Sequence, residues 1–124
     1  ENGTTETYFI GTPFEEIMSD KEIKRLEKYL EGWKFSAYVA HPRERKLLRI
    51  RAETLDKKGQ IAEEAILANA KDASIILIGG YLSSVMLNIG HICKEVIVIL
   101  PERSKRTKNI ARMSVELGFT VIFI

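Results

Sequence analysis

The pair His41–Pro42, in the stretch YVAHPRERK, is the first candidate for chemistry in this sequence. It follows an apolar run, and Pro42 restricts the turn after the histidine. Because an imidazole titrates near neutrality and a nearby phosphate favours its protonated form, His41 could act as a general acid. A capping histidine that bonds a backbone carbonyl would look the same in the sequence. Both interpretations are open.

The stretch GGYLSS, residues 79–84, is the second candidate. Gly79 and Gly80 would let the backbone approach a ligand closely. Ser83 and Ser84 would begin the next helix, where unpaired N–H groups and the positive end of the helix dipole receive an anion such as phosphate. A tight turn with an ordinary serine cap explains these residues equally well. The stretch lacks the Gly-Lys-Ser/Thr of a Walker loop and the GxGxxG dinucleotide fingerprint.

Two pairs of carboxylates complete the candidates. Glu15 or Glu16, after the first apolar run, could act as a general base toward a substrate hydroxyl. Glu63 or Glu64, at the start of a helical pattern, could hold a ribose diol by two hydrogen bonds. For both pairs the alternative is favourable placement near a helix N-terminus, or simple exposure.

The elements that must position these residues follow an alternating pattern. Short β-branched or aromatic runs alternate with helical patterns, which predicts an α/β fold: a Rossmann-like open parallel sheet of five or six strands with helices on both faces. Strands are predicted at TYFIG, KFSAYVA, SIILIGG, EVIVILP and FTVIFI, and KLLRIRAETL is favoured slightly as a sixth. Helices are predicted at SDKEIKRLEKYLEG, which has a Ser19/Glu22 capping box, and at QIAEEAILANAK, SSVMLNIGHIC and TKNIARMSVELG. In the last of these, Ile110, Met113 and Leu117 are predicted to face inward. Ligands of such sheets bind beyond the carboxyl ends of the strands, where the candidate residues lie.

Composition narrows the function classes. The 124 residues, with 45% hydrophobic and 29% charged side chains, predict one globular domain spanning residues 1–124. The net charge of +2 gives no general attraction to nucleic acid. The single cysteine, Cys93, cannot form an intramolecular disulfide, which favours a cytoplasmic setting.

His91, near Cys93 at an apolar helix end, is interpreted as structural, and no metal site is predicted because no third ligand is in view. The longest apolar runs are shorter than the ~20 residues of a membrane span.

The order of the motifs resembles a known family. FIGTPFEE, YVAHPRER, IAEEAI and IILIGGYLSS, in that order, are similar to the C-terminal half of bacterial sialyltransferases of the lipooligosaccharide and polysialic acid type. These enzymes share an acidic motif, a His-Pro motif, a later glutamate and a Ser-Ser or Ser-Thr pair. The likeness extends over most of the chain, from about Tyr8 to Leu100. Ile17 stands where the acidic motif of the family usually has glycine.

The resemblance implies a GT-B glycosyltransferase of two Rossmann-like halves, with CMP-sialic acid held mainly by the C-terminal half and no metal or other cofactor. The transfer would be inverting: a carboxylate deprotonates the acceptor hydroxyl, which attacks the anomeric carbon while CMP leaves. Carried over residue by residue, Glu15 or Glu16 would be the base. His41, in its turn with Pro42, would assist the leaving phosphate. Glu64, or Glu63, would hold the ribose, and Ser83 and Ser84 the phosphate, with Gly79 and Gly80 before them. Arg43 and Arg45 could attract the carboxylate or phosphate of the donor.

The resemblance also implies partners. They are the nucleotide-sugar donor, a glycan acceptor and an N-terminal acceptor-binding domain, which 124 residues are too few to include. This length alone would then be inactive in transfer. A homodimer and peripheral association with the inner face of a bacterial membrane are compatible with this hypothesis. Three alternatives stay open: a nucleotide- or phosphate-binding module without catalysis, a transferase that uses another CMP-activated sugar such as CMP-Kdo, and a flavodoxin-like or receiver-like interaction domain. Against the receiver-like alternative, this sequence lacks the acidic cluster that a receiver domain would show after its first strand.

Overall fold

A parallel β-sheet forms the centre of the molecule. The computed structural model describes residues 4–101 and 104–124, and in these the sheet has five strands in the order β2-β1-β3-β4-β5. The strands are β1 (Thr5–Ile10), β2 (Ala37–Val39), β3 (Ser74–Gly79), β4 (Glu95–Leu100) and β5 (Thr120–Phe123), and every neighbouring pair is parallel. The helices are α1 (Asp20–Tyr29), α2 (Ala62–Ala70), α3 (Ser84–Ile89) and α4 (Lys105–Glu116), with short 3₁₀ helices at Phe14–Glu16 and Gly90–Ile92. The predicted α/β fold with a Rossmann-like open sheet is confirmed.

The central strands are apolar toward their carboxyl ends because both faces of the sheet are covered there. In β1, Tyr8 and Ile10 belong to the apolar cluster on one face and Phe9 to the cluster on the other. Leu77 and Ile78, adjacent in β3, are both fully buried on opposite faces. A strand buried on both sides has no polar face, which is why SIILIGG reads as a continuous apolar run.

The helices divide between the two faces. Residues of α2, α3 and α4 pack in the first cluster, whereas α1 packs in the second. The predicted capping box of α1 is confirmed: Ser19 Oγ accepts from the Glu22 N–H at 3.2 Å, and Glu22 Oε1 accepts from the Ser19 N–H at 2.9 Å. Because α1, which follows β1, lies on one face and α3, which follows β3, lies on the other, the chain leaves β1 and β3 on opposite sides of the sheet, and a crevice opens between their carboxyl ends.

The stretch KLLRIRAETL is not a strand, so the sheet formed by the described residues has five strands rather than six. Its only strand-like contact among the described residues is an isolated bridge between Tyr38 and Thr54. Leu48, Ile50 and Ala52 alternate in the sequence because they cover the α1 face of the sheet from an irregular segment. The alternation of burial that normally marks a strand is thus produced here by a loop.

Helix α4 is rotated from the predicted orientation. Ile110 packs on the sheet, but Met113 and Leu117 are 49% and 48% exposed. Thr107 and Ser114 are buried instead, and the Ser114 hydroxyl donates to the Ile110 carbonyl at 2.7 Å. Small hydroxyl side chains that bond within their own helix can therefore occupy the inner face, which apolar periodicity alone does not reveal.

Candidate functional site

A cleft of about 530 Å³ lies at the carboxyl ends of β1, β2 and β3. The strands position it: Gly11 and Thr12 follow β1, and Ala40 and His41 follow β2. The remaining wall comes from the start of α2 and from the loop between β3 and α3. Five of the residues singled out in the sequence line this one cleft: His41, Pro42, Glu63, Ser83 and Ser84.

The two candidate bases lie outside this cleft. Glu15 lines a different cleft of about 400 Å³, between α1 and residues 46–49. Glu16 forms an exposed ion pair with Arg43, whose Nη2 lies 2.9 Å from Glu16 Oε1. The base and the leaving-group acid inferred from the resemblance are therefore not brought together. Arg43, inferred as a ligand of the donor, is engaged by a carboxylate.

The local geometry of His41 assigns its tautomer. The Arg43 backbone N–H donates to Nδ1 of His41 at 3.0 Å. A nitrogen that accepts an N–H carries no proton of its own, so the neutral ring has its proton on Nε2. The side chain is exposed at the edge of the cleft. His41 can thus offer an N–H donor to a ligand in its neutral form.

A carboxylate that was not among the candidates, Glu44, lies directly behind this turn. Its Oε1 accepts from the His41 backbone N–H at 3.0 Å, and its other oxygen accepts from the hydroxyl of Tyr38. Burial raises the pKa of Glu44, while the hydrogen bonds from Tyr38 and His41 act in the opposite direction. Burial also raises the pKa of Tyr38 strongly, and the hydrogen bond to Glu44 adds to this, so the shared proton stays on the phenol.

Ser83 and Ser84 play different parts at the start of α3. Ser83 is the N-cap, and its Oγ accepts from the Met86 N–H at 3.4 Å. Ser84 is the first residue of the helix and is exposed in the cleft. The serine-cap alternative accounts for Ser83 and leaves Ser84 without a structural reason. Both hydroxyls border the same space as His41.

Gly79 and Gly80 are buried, and the protein's own side chains lie where a Cβ would point. At Gly79 a Cβ would lie 2.8 Å from Met86 Cε, and at Gly80 it would lie 2.8 Å from the Phe14 ring and 2.9 Å from Leu26 Cδ2. Neither residue lines the cleft found beside it. At Gly80 the preference for glycine comes from internal packing against two buried side chains, whereas at Gly79 the nearest atom is the end of the flexible Met86 side chain.

Of the paired glutamates on α2, Glu63 lines the cleft and Glu64 is exposed outside it. Asn88 Nδ2 donates to Glu63 Oε2 at 2.6 Å and so links α2 to α3. The carboxylate is thereby fixed in direction, and its other oxygen can accept a further donor. Of the two glutamates, Glu63 is therefore the one that borders the cleft.

Sequence reasoning missed the cation of the cleft, Lys57. Its Nζ donates to the carbonyl of Ala40, the residue before His41, at 2.6 Å. Lys57 lies in a turn with positive φ at Lys58 and Gly59, 50° and 80° respectively, and the Lys58 N–H bonds Asp56 Oδ1 at 2.9 Å. The DKKG turn signal was visible in the sequence, but the return of that turn to the end of β2 was not. The cleft is also lined by three residues that were not among the candidates, Thr12, Gln60 and Tyr81.

Within residues 4–101 and 104–124, no three His, Cys, Asp or Glu side chains are grouped to hold a metal ion. Over the same ranges, no helix has the length and apolar character to cross a membrane. Comparison of the chain with protein-family models, curated proteins and solved structures finds no match.

Proposed function

We propose that the cleft binds the CMP part of CMP-sialic acid, and that the domain is the nucleotide-binding half of a sialyltransferase-like GT-B enzyme that transfers sialic acid with inversion. One observation carries this: the His-Pro turn, the later glutamate and the serine pair line a single cleft although they lie far apart in the sequence. This is also the edge of a parallel sheet where ligands bind.

The donors around the cleft suit a phosphate that gains charge as CMP leaves. Nε2–H of His41, the ammonium of Lys57 and the hydroxyl of Ser84 border it. Donors held in place before the reaction stabilise a developing negative charge more than the ground state. Glu63 is the residue for the ribose. No metal is required for these contacts.

The two candidate bases, Glu15 and Glu16, lie outside the cleft that is proposed to bind the phosphate. In an inverting reaction the base acts on the side of the anomeric carbon opposite the leaving group, so a base outside the phosphate cleft is compatible with the proposal. Glu15 is the better candidate, because Glu16 is engaged by Arg43. The acceptor, its binding domain, a dimer and attachment at the inner face of a bacterial membrane belong to the intact cytoplasmic enzyme of this proposal.

A second candidate is a nucleotide-binding module without transfer activity. The observation that favours it is the separation of Glu15 and Glu16 from the cleft that holds His41. Under this alternative the same cleft binds nucleotide phosphates with little choice of base or sugar.

Titration with CMP, UMP and ADP, followed by calorimetry and amide shifts, separates these functions. The sialyltransferase proposal expects CMP to bind best and to shift His41, Ser83 and Ser84. His41→Ala should weaken CMP binding without unfolding the chain, whereas His91→Ala, at an exposed histidine in the 3₁₀ helix Gly90–Ile92, should not. Equal binding of the three nucleotides supports the module, and no shift at the three residues refutes both. CMP-sialic acid against CMP-Kdo in competition then identifies the sugar.

Lys57 gives a charge-specific test of the same site. Lys57→Gln should weaken CMP binding about tenfold, the loss expected for one charge-assisted hydrogen bond to phosphate. Lys58→Gln is the matched control, because it removes the same charge from the exposed neighbouring residue. Equal effects of the two variants would mean that the cleft senses only net charge and that Lys57 makes no contact with the ligand.

A further inference from the structure

Glu44 makes two hydrogen bonds to the backbone of His41, one through its own backbone and one through its side chain. Its backbone N–H donates to the His41 carbonyl at 2.9 Å, which makes residues 41–44 a β-turn with Pro42 at its second position. In the opposite direction, its carboxylate accepts from the His41 N–H at 3.0 Å. The backbone of His41 is therefore bonded to the same residue through its donor and its acceptor.

The second anchor of this carboxylate is the buried phenol of Tyr38. Tyr38 lies in β2 and is 2% exposed, and its hydroxyl donates to Glu44 and accepts from the Leu48 N–H at 3.1 Å. The chain on both sides of the turn is thus tied to one point in the core. A turn that would otherwise be an exposed loop is connected to the sheet.

Gly11, at the end of β1, provides the space for this arrangement. A Cβ at Gly11 would collide with Oε1 of Glu44 and lie 2.8 Å from the Tyr38 ring. The Gly11 N–H donates to the Val39 carbonyl at 2.8 Å, so the two strand ends are in contact at this point. The carboxylate therefore lies against the end of β1, behind the wall that Gly11 and His41 contribute to the cleft.

The consequence for His41 concerns its ring. The hydrogen bond from the Arg43 N–H to Nδ1 of His41 lies within the turn of residues 41–44. That bond assigns the proton to Nε2. We propose that Glu44, anchored by Tyr38, is a positioning residue that fixes the orientation and tautomer of His41. The expected effect on nucleotide affinity rests on the proposed function, whereas the effect on the ring does not.

The test is Glu44→Gln in the full chain with ¹⁵N-labelled histidine. A glutamine that accepts from the His41 N–H turns its own N–H toward Tyr38, whose hydroxyl must then accept rather than donate. The charge-assisted bond between Tyr38 and residue 44 is lost, and the anchor of the turn is weakened. Long-range ¹H–¹⁵N spectra read the two ring nitrogens directly. In the parent chain we expect His41 to show one tautomer, with Nε2 protonated. In the variant we expect its two nitrogen shifts to converge as the tautomers mix, while His91 stays unchanged as an internal reference.

Two further variants keep the test decisive. Tyr38→Phe removes the hydroxyl that anchors Glu44 and that accepts from the Leu48 N–H. It should move the His41 ring signals in the same direction, so it replaces Glu44→Gln if that variant does not fold. Glu31→Gln, at an exposed position after α1, removes one charge elsewhere and should leave the ring unchanged. Unchanged His41 nitrogens in a folded Glu44→Gln or Tyr38→Phe chain would overturn the proposal.

CMP titration of the same proteins distinguishes the two proposals. If CMP binds the parent, Glu44→Gln should bind it about tenfold more weakly, as expected when one hydrogen-bond donor is misdirected. If CMP does not bind the parent, the proposed function fails, and the ring signals still decide the role of Glu44. If CMP binds both chains equally although the ring has changed, Glu44 positions His41 but His41 does not contact the nucleotide.

Discussion

Two loops border the same cleft and are held in place by different forces. The loop after β2 is held by polar groups: Glu44 bonds Tyr38 and the His41 N–H, and Lys57 bonds the Ala40 carbonyl. The loop after β3, residues 80–83, is held by close packing of Gly80 against Phe14 and Leu26. The position of the β2 loop therefore depends on the charge and protonation of its side chains, and the position of the β3 loop depends on the volume of its side chains.

The difference follows from the lengths of the connections. The segment between β2 and α2, residues 40–61, is mostly irregular, so few of its backbone groups are satisfied by secondary structure and side chains must satisfy them. The segment between β3 and α3 is short, and its strand and helix fix its ends. A change of side-chain volume within the loop after β3 should thus disturb that loop. A change of side-chain charge within the loop after β2 should disturb that one.

Gly80→Ala is expected to have the largest effect on stability. The new methyl would lie within 2.9 Å of both the Phe14 ring and Leu26 Cδ2, side chains that are 1% and 0% exposed. Overpacking of this kind destabilises by about 1–3 kcal/mol. Chemical denaturation measures it. Gly32→Ala is the matched control, since no atom lies within 4 Å of a Cβ there, and it should not destabilise. Equal stability of the two variants would contradict the packing argument for the β3 loop.

Ser83→Ala tests the same loop with a smaller change. Loss of the N-cap hydroxyl should destabilise the chain by about 1 kcal/mol, because the Met86 N–H loses its acceptor. Ser84→Ala removes a hydroxyl that is not the cap and should leave stability within about 0.5 kcal/mol of the parent. Thermal and urea unfolding of both variants give these values. A larger loss for Ser84→Ala would reverse the assignment of the cap.

The β3 loop was the more predictable of the two from sequence. Its strand is a continuous apolar run and its serines are an N-cap signal, and both features act locally. The same local character explains why the sheet and the capping box at Ser19 were predictable. Gly80, however, owes its identity to contacts with residues far away in the sequence.

The β2 loop could be predicted only in part. His41 and Pro42 stand out by residue type, but Glu44 resembles any exposed glutamate in a charged run until its contact with Tyr38 is seen. Likewise, Lys57 reaches the Ala40 carbonyl through tertiary structure alone. Polar anchors between distant residues leave no periodic pattern, so sequence reasoning found the histidine and missed what holds it.

The smallest expected effect is a pH dependence of the free energy of unfolding that originates from Glu44 in the β2 loop. Burial raises the pKa of the Glu44 carboxyl from its ordinary value of 4.5. Between that value and the raised one, the folded chain binds more protons than the unfolded chain, so the free energy of unfolding falls as pH rises. This contribution is fully present below the ordinary value and is lost as pH passes the raised pKa. The charged groups that act on Glu44 are Glu15, which raises its pKa further, and Lys57, which lowers it.

Urea unfolding of the parent and of Glu44→Gln from about pH 4 to about pH 7 isolates this contribution, because that range covers ordinary and modestly raised carboxyl pKa values. The stability of the parent relative to Glu44→Gln should decrease with rising pH, since only the parent ionises at this position. Relative to Glu31→Gln, which keeps Glu44, the parent should show no matching trend. If the parent instead gained stability over Glu44→Gln as pH rose, the hydrogen bonds from Tyr38 and His41 would outweigh burial. The β2 loop would then be held most firmly by the ionised carboxylate.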